Sequence, residues 1–310
     1  MGNLKNFRRK GCVDWLDVRF RTARPTQFQH VQSALDATGA GKLYVDPIDP
    51  GPGGVADMFV VRATDRLANN YAALSKVLAE FSARYPLASE PEIAAIEVAC
   101  DFWHTGEVER DVSTIAMTYR LQSSLLTDGD SPRQFDPAKG SRGENRYMDV
   151  AGARLDPLLN YRVGNERIRN RSADDVAWQC YWKRTDNKQP LPPNEWRARV
   201  EVRLQGDAIR DVGLVKLADL DGYKFTNLAP FFRFRTPIDP ETQAKGDQFK
   251  LTAITINRRL NDATPERGLH SFRSLGRRDR WQKLRRESSH LQADNELQDA
   301  IKGALRRLKV

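Results

Sequence analysis

The chain has 310 residues, 40% of them hydrophobic and 29% charged, which fits a globular protein and excludes a disordered one. Lys and Arg number 50 against 41 Asp and Glu, a formal net charge of +9, so a polyanionic partner is favoured over a basic one. No apolar run approaches the ~20 residues of a membrane span, so no membrane partner is expected. The opening MGNLKNFRRKG is basic with no apolar segment behind it, which argues against a secretory signal, and Asn6 breaks a myristoylation pattern. Cys12, Cys100 and Cys180 lie far apart in apolar, strand-like runs. They predict buried free thiols in a reducing, cytoplasmic setting, without a disulfide frame or a zinc site.

The elements follow in a readable order. CVDWLDVRF (12–20) predicts a strand, and PTQFQHVQSALDATG (25–39) a helix with Pro at its start and Gly at its end. KLYVDPID (42–49) and DMFVVRATD (57–65) predict strands on either side of PGPGG. ANNYAALSKVLAEFSARY (68–85) predicts a helix with Tyr71, Leu74, Val77, Leu78 and Phe81 on one face. EIAAIEVACDFW (92–103) is a strand. Strand, helix, strand, strand, helix, strand is the split βαβ, ferredoxin-like pattern. The expected class is therefore α+β, an antiparallel sheet with helices on one face, extended by the strands 176–183 and 197–205.

DGDSPRQFDPAKGSRGENR (128–146) is a polar loop insertion. The expected organisation is a domain over 12–210 and a helical, basic C-terminal region over 211–310. From Arg267 to Val310 twelve Lys or Arg face five Asp or Glu, a local net of +7. RSLGRRDRWQKLRR (273–286) is the densest part, with Trp281 inside it. The helix ADNELQDAIKGALRRLK (293–309) carries Leu297, Ile301, Leu305 and Leu308 on one stripe, which could serve a homodimer.

Alternation in the strands sorts side chains onto two faces. Leu16, Val18 and Phe20, then Ile96, Val98, Cys100 and Phe102, then Trp178, Cys180 and Trp182, then Val200, Val202 and Leu204 are apolar. The opposite positions are Asp17, Arg19, Glu97, Asp101, Tyr181, Lys183, Arg199, Glu201 and Arg203. Such a face fits a solvated sheet laced with ion pairs. It also fits chemistry. The carboxylates of Glu97, Asp101 and Glu201 would repel unless a hard cation, magnesium or manganese, sat among them. A tyrosine there can attack a phosphodiester, and since a phenol has a pKa of about 10, Lys183 would be needed to favour its ionised form. Arg199 and Arg203 would hold the phosphate.

VDWLDVRF (13–20), IAAIEVACDFW (93–103), YRVGNER (161–167), CYWKRTD (180–186) and RARVEVRLQG (197–206) together resemble the rolling-circle replication initiation factors of plasmids and filamentous phages, the Rep trans type, with the related relaxases of conjugative elements. The resemblance covers roughly residues 12–210. It implies an origin-binding enzyme that nicks one DNA strand through a tyrosine, stays on the 5′ phosphate and leaves a 3′ hydroxyl. It implies Tyr181 as nucleophile with Lys183 beside it, and Glu97, Asp101 and Glu201 as metal ligands. DNA contacts are expected from Arg167, Arg199 and Arg203 and from Arg277, Arg278 and Arg280 in the basic tail. The stretch between Gly164 and Tyr181 is long for the family, which keeps Tyr161 as a second candidate nucleophile. Histidines 30, 104, 270 and 290 form no His-hydrophobic-His pair, which argues against a histidine-ligated metal. The implied partners are origin DNA, single-stranded at the nick, and a host helicase. Two alternatives share the pattern: a conjugative relaxase, and a DNA-binding regulator without activity.

Overall fold

The computed structural model describes residues 4–40, 43–107, 110–126, 133–136, 160–163, 175–186, 189–237 and 291–310. Arg167, Arg277, Arg278, Arg280 and Trp281 lie outside the described residues, as does most of the 128–146 insertion. The chain is α+β and divides into two units that are interleaved in sequence.

One unit comprises Cys12–Ala99, Arg203–Asn227 and Arg307–Val310. It holds most of β1 (Phe7–Gln27), then α1 (Phe28–Asp36), β2 (Tyr44–Pro47), β3 (Val55–Thr64), α2 (Asp65–Ala68), α3 (Tyr71–Arg84) and the first part of β4 (Glu92–His104). Its strands lie in the order β2-β3-β1-β4, the ferredoxin-like arrangement expected from the element order. β3 runs antiparallel to both β1 and β2. The apolar face of β1 is Leu16, Val18 and Phe20, all buried. Phe20 meets Phe59 of β3 at 6.1 Å and Phe81 of α3 at 5.2 Å between ring centroids. Leu74, Val77 and Leu78 are buried beside Phe81, so the stripe read at helical spacing is the face that packs. Asn70 caps α3, its side chain accepting from the Ala73 amide at 3.0 Å.

Two boundaries differ from expectation. The first helix starts at Phe28 because Pro25 favours extended backbone before it and β1 continues to Gln27. β1 also begins at Phe7, although RRK carries no apolar alternation, because Phe7, Gly11 and Val13 are the buried positions there.

The other unit comprises Met1–Gly11, Cys100–Val202 and Leu228–Arg306. It contains α4 (Arg110–Ser124), β5 (Leu125–Leu126), β6 (Arg133–Asp136), β7 (Asn160–Val163), β8 (Val176–Lys183), β9 (Thr185–Asp186), β10 (Gln189–Pro190), most of β11 (Arg197–Gln205), β12 (Arg233–Pro237), β13 (Leu291–Ala293) and α6 (Asn295–Arg307) up to its last residue; α5 (Gly206–Asp211) belongs to the first. Among the described residues the large sheet runs β2-β3-β1-β4-β11-β8-β7-β6, and β1, β4 and β11 each contribute residues to both units. α4 carries no clean apolar period and escapes the sequence reading. It buries Met117 and Leu121, and Gln122 donates to the Cys180 carbonyl of β8 at 3.1 Å.

The helix expected over 293–309 is α6, and its stripe Leu297, Ile301, Leu305 and Leu308 is buried within the chain, so it is no open docking face. Asp294 both caps this helix, accepting from the Leu297 amide at 3.0 Å, and receives the Arg120 guanidinium of α4 at 2.8 and 2.9 Å. The three cysteines are free thiols, Cys100 and Cys180 fully buried and Cys12 half-buried. No helix among the described residues is long and apolar enough to cross a membrane.

Removing Asp294 takes the bidentate partner from buried Arg120, which keeps Glu296 at 3.1 Å, and uncaps α6 at the same time. Asp294→Ala is expected to cost about 3–5 kcal/mol in urea unfolding, whereas Asn70→Ala, which loses an exposed cap, should cost about 1 kcal/mol.

Candidate functional site

β11 decides what this part of the sheet can do. Its residues 197–202 are all buried, so both of its faces are covered. Arg199 is 2% exposed, Glu201 3%, and Asp101 on β4 3%. A solvated face with loose ion pairs is thereby excluded here, because buried charges persist only with close partners.

Those partners are present. The Arg199 guanidinium grips Asp101 through Nε to Oδ1 at 2.5 Å and Nη2 to Oδ2 at 2.6 Å, a bidentate fork. Arg197 Nε adds a bond to Asp101 Oδ2 at 3.1 Å. Arg199 also reaches along its own strand, Nη1 donating to Glu201 Oε1 at 3.2 Å. The same oxygen accepts from the Tyr181 hydroxyl of β8 at 2.7 Å. Burial alone would lower the Arg199 pKa, but the charge and hydrogen bond of Asp101, with the charges of a Tyr181 phenolate and of Glu201, hold it well above the ordinary value. A permanent cation therefore stands beside the phenol.

Lys183 is buried and bonds Asp186 at 2.8 Å. Burial pushes the Asp186 carboxyl up, but Lys183, then Arg197 and Arg199, outweigh it and leave its pKa below the ordinary value. Arg203 is half-buried on β11. The backbone of Tyr161 on β7 pairs with Cys180, next to Tyr181.

Asp14 on β1 and Glu97 on β4 are half-buried carboxylates of one unit, and Glu201 on β11 is a buried carboxylate of the other; carboxylate oxygens are hard donors of the kind that suit a divalent cation such as magnesium or manganese. Asp101, expected among the ligands, is engaged otherwise: both of its oxygens take guanidinium protons, and a cation there would face two positive charges. Asp17 pairs with Arg62, bidentate at 2.7 Å, and Arg19 with Glu92.

Asp14 escapes the sequence reading because β1 breaks its own alternation. Gly11 and Val13 are buried, then Leu16, Val18 and Phe20, and the two residues between, Asp14 and Trp15, both stay partly open. Such an extra residue resets which face the chain presents. The pairing with β3 ends at Trp15 opposite Thr64, and beyond it the Asn69 side chain takes over, accepting from the Val13 amide at 2.9 Å and donating to the Val13 carbonyl at 2.6 Å. Arg197 was legible: it shares parity with Arg199 and Glu201.

An α+β sheet protein with a buried arginine–carboxylate lattice, a tyrosine hydrogen-bonded into it and an adjoining acidic group is the class that fold and site define. No protein-family model and no curated protein matches the sequence. Among solved structures the chain is similar to a rolling circle replication initiator protein from Geobacillus stearothermophilus, at 16% identity and a TM-score of 0.36, over 84% of this chain and 98% of that one. That is the class of protein the motifs resemble.

The Lys183–Asp186 pair gives a pH test. A carboxylate with a lowered folded pKa adds stability that is present above the ordinary value, 3.8, and lost as pH falls through the folded one. Asp186→Asn should lower Tm at neutral pH, and the difference should shrink as pH falls below 3.8; a Tm difference that persists undiminished in acid would contradict the assignment.

Proposed function

We propose that the chain is a replication initiator that nicks one DNA strand through Tyr181 and remains attached to the 5′ phosphate. The observation that carries this reading is the 2.7 Å hydrogen bond from the Tyr181 hydroxyl to buried Glu201, an oxygen that also faces Arg199. A phenol aimed at a carboxylate and flanked by a fixed cation has both things a tyrosine nucleophile needs, a proton acceptor and a counter-charge. In the step, the Tyr181 oxygen attacks phosphorus and its proton passes to Glu201. The bond from phosphorus to the 3′ oxygen breaks, that oxygen takes a proton from water, and a 5′-phosphotyrosine remains. Reversal closes the strand.

Asp101 is a positioning residue in this reading, since it holds Arg199, and Arg197 fixes Asp101 in turn. Lys183, with Arg203, contributes positive charge around the phosphate. Asp14, Glu97 and Glu201 would hold a magnesium or manganese ion, which when bound polarises the phosphate as a Lewis acid. The basic excess of the whole chain suits a DNA partner.

The test is incubation with supercoiled DNA of its replicon and with end-labelled single strands, in Mn²⁺, Mg²⁺ or EDTA. Wild type should nick only with metal and carry a covalent 5′ adduct; Tyr181→Phe should form none. Glu201→Gln should slow nicking about 10²–10⁴-fold. An adduct that survives Tyr181→Phe and vanishes in Tyr161→Phe would transfer the role to Tyr161. Binding without cleavage in any metal would make the chain a regulator.

A further inference from the structure

The geometry points to a base-stacking subsite for single-stranded DNA at Trp103, built with Arg8 and Arg197. It rests on the nicking reading for its place but not for its chemistry. Trp103 follows Asp101 by two residues on β4 and so shares its face of the strand. Asp101 is joined through Arg199 and Glu201 to the Tyr181 hydroxyl. β4, β11 and β8 are successive strands of the sheet, so Trp103 lies about two strand spacings, roughly 10 Å, from the line of Tyr181. A DNA strand with a phosphate at Tyr181 would bring a neighbouring base to Trp103.

The ring is prepared for such a guest. Trp103 is only half-buried, although the three residues before it are buried. Two guanidiniums lie over it, Arg8 at 4.9 Å and Arg197 at 5.3 Å from the ring centroid. Arg197 is fixed there by Asp101 and by the Glu195 carbonyl, which its Nη1 meets at 2.9 Å. Arg8 is exposed and has no acidic partner among the described residues. Exposed Arg8 can swing off the indole, so a base that takes its place gains the π face while the arginine meets its phosphate, the pairing that binds unpaired strands without reading sequence. The neighbouring Trp182–Trp196 pair differs: Trp182 is buried, and the edge-on contact at 5.2 Å is packing.

The experiment measures fluorescence anisotropy of labelled single-stranded and duplex oligonucleotides in EDTA, where no cleavage competes. Trp103→Ala should weaken single-strand binding about tenfold, the size of one lost stacking contact, while duplex binding is unchanged. Trp103→Phe should restore most of it, and Arg8→Ala should weaken it and reduce its salt dependence. Equal losses on both DNA forms, or none, would overturn the subsite. Because an alanine variant can fail to fold, wild-type protein is also photo-crosslinked to a single strand carrying 5-iodouracil. Peptides containing Trp103 are expected among the crosslinks; crosslinks confined to other regions overturn the proposal. The two readings separate cleanly. A metal-dependent adduct with unaltered Trp103→Ala affinity keeps the nickase and removes the subsite. Selective loss of single-strand affinity with no adduct in any metal keeps the subsite and removes the nickase.

Discussion

The arrangement depends on a buried carboxylate held between two arginines. Asp101 cannot be buried as an isolated anion, and Arg199 cannot be buried as an isolated cation. Their bidentate pairing makes each tolerable, and Arg197 completes the coordination. Because Arg199 spans from Asp101 to Glu201, it also sets where Glu201 stands and therefore what the Tyr181 hydroxyl meets. A single guanidinium thus links the pairing of Asp101 on β4 with β11 to the hydrogen bond that Tyr181 makes from β8.

Buried ion pairs are weak sources of stability, since desolvation consumes most of their attraction. Their value here lies in position. A tyrosine on an open sheet face would sample many rotamers and donate to water. Tyr181 instead donates to an oxygen whose place is fixed by a rigid fork, and the cation of that fork persists at every working pH.

Much of the fold was legible. The split βαβ order, the α3 stripe and the placement of Tyr181, Glu97 and Glu201 on polar positions of their strands all follow from a period of 3.6 or 2. α4 was not legible, because RDVSTIAMTYRLQSS mixes polar and β-branched residues and is held by packing, not by propensity. The site was legible as a set of residue types and only partly as a set of partners. Strict alternation through 15–20 assigns Asp14 to the apolar face, and only the extra residue clamped by Asn69 turns it out. Which acid an arginine chooses depends on strand neighbours far apart in sequence, as with the 98 residues between Asp101 and Arg199.

By itself, the sequence determined the element order, the apolar faces and the presence of acids, arginines and a tyrosine on one side of a sheet, because these are local periodic properties of each strand. The tertiary structure alone decided that β11 is covered on both faces, that Asp101 is spent on arginines and that the tyrosine donates to Glu201. Register and burial arise from pairing between distant strands, and no local pattern encodes them.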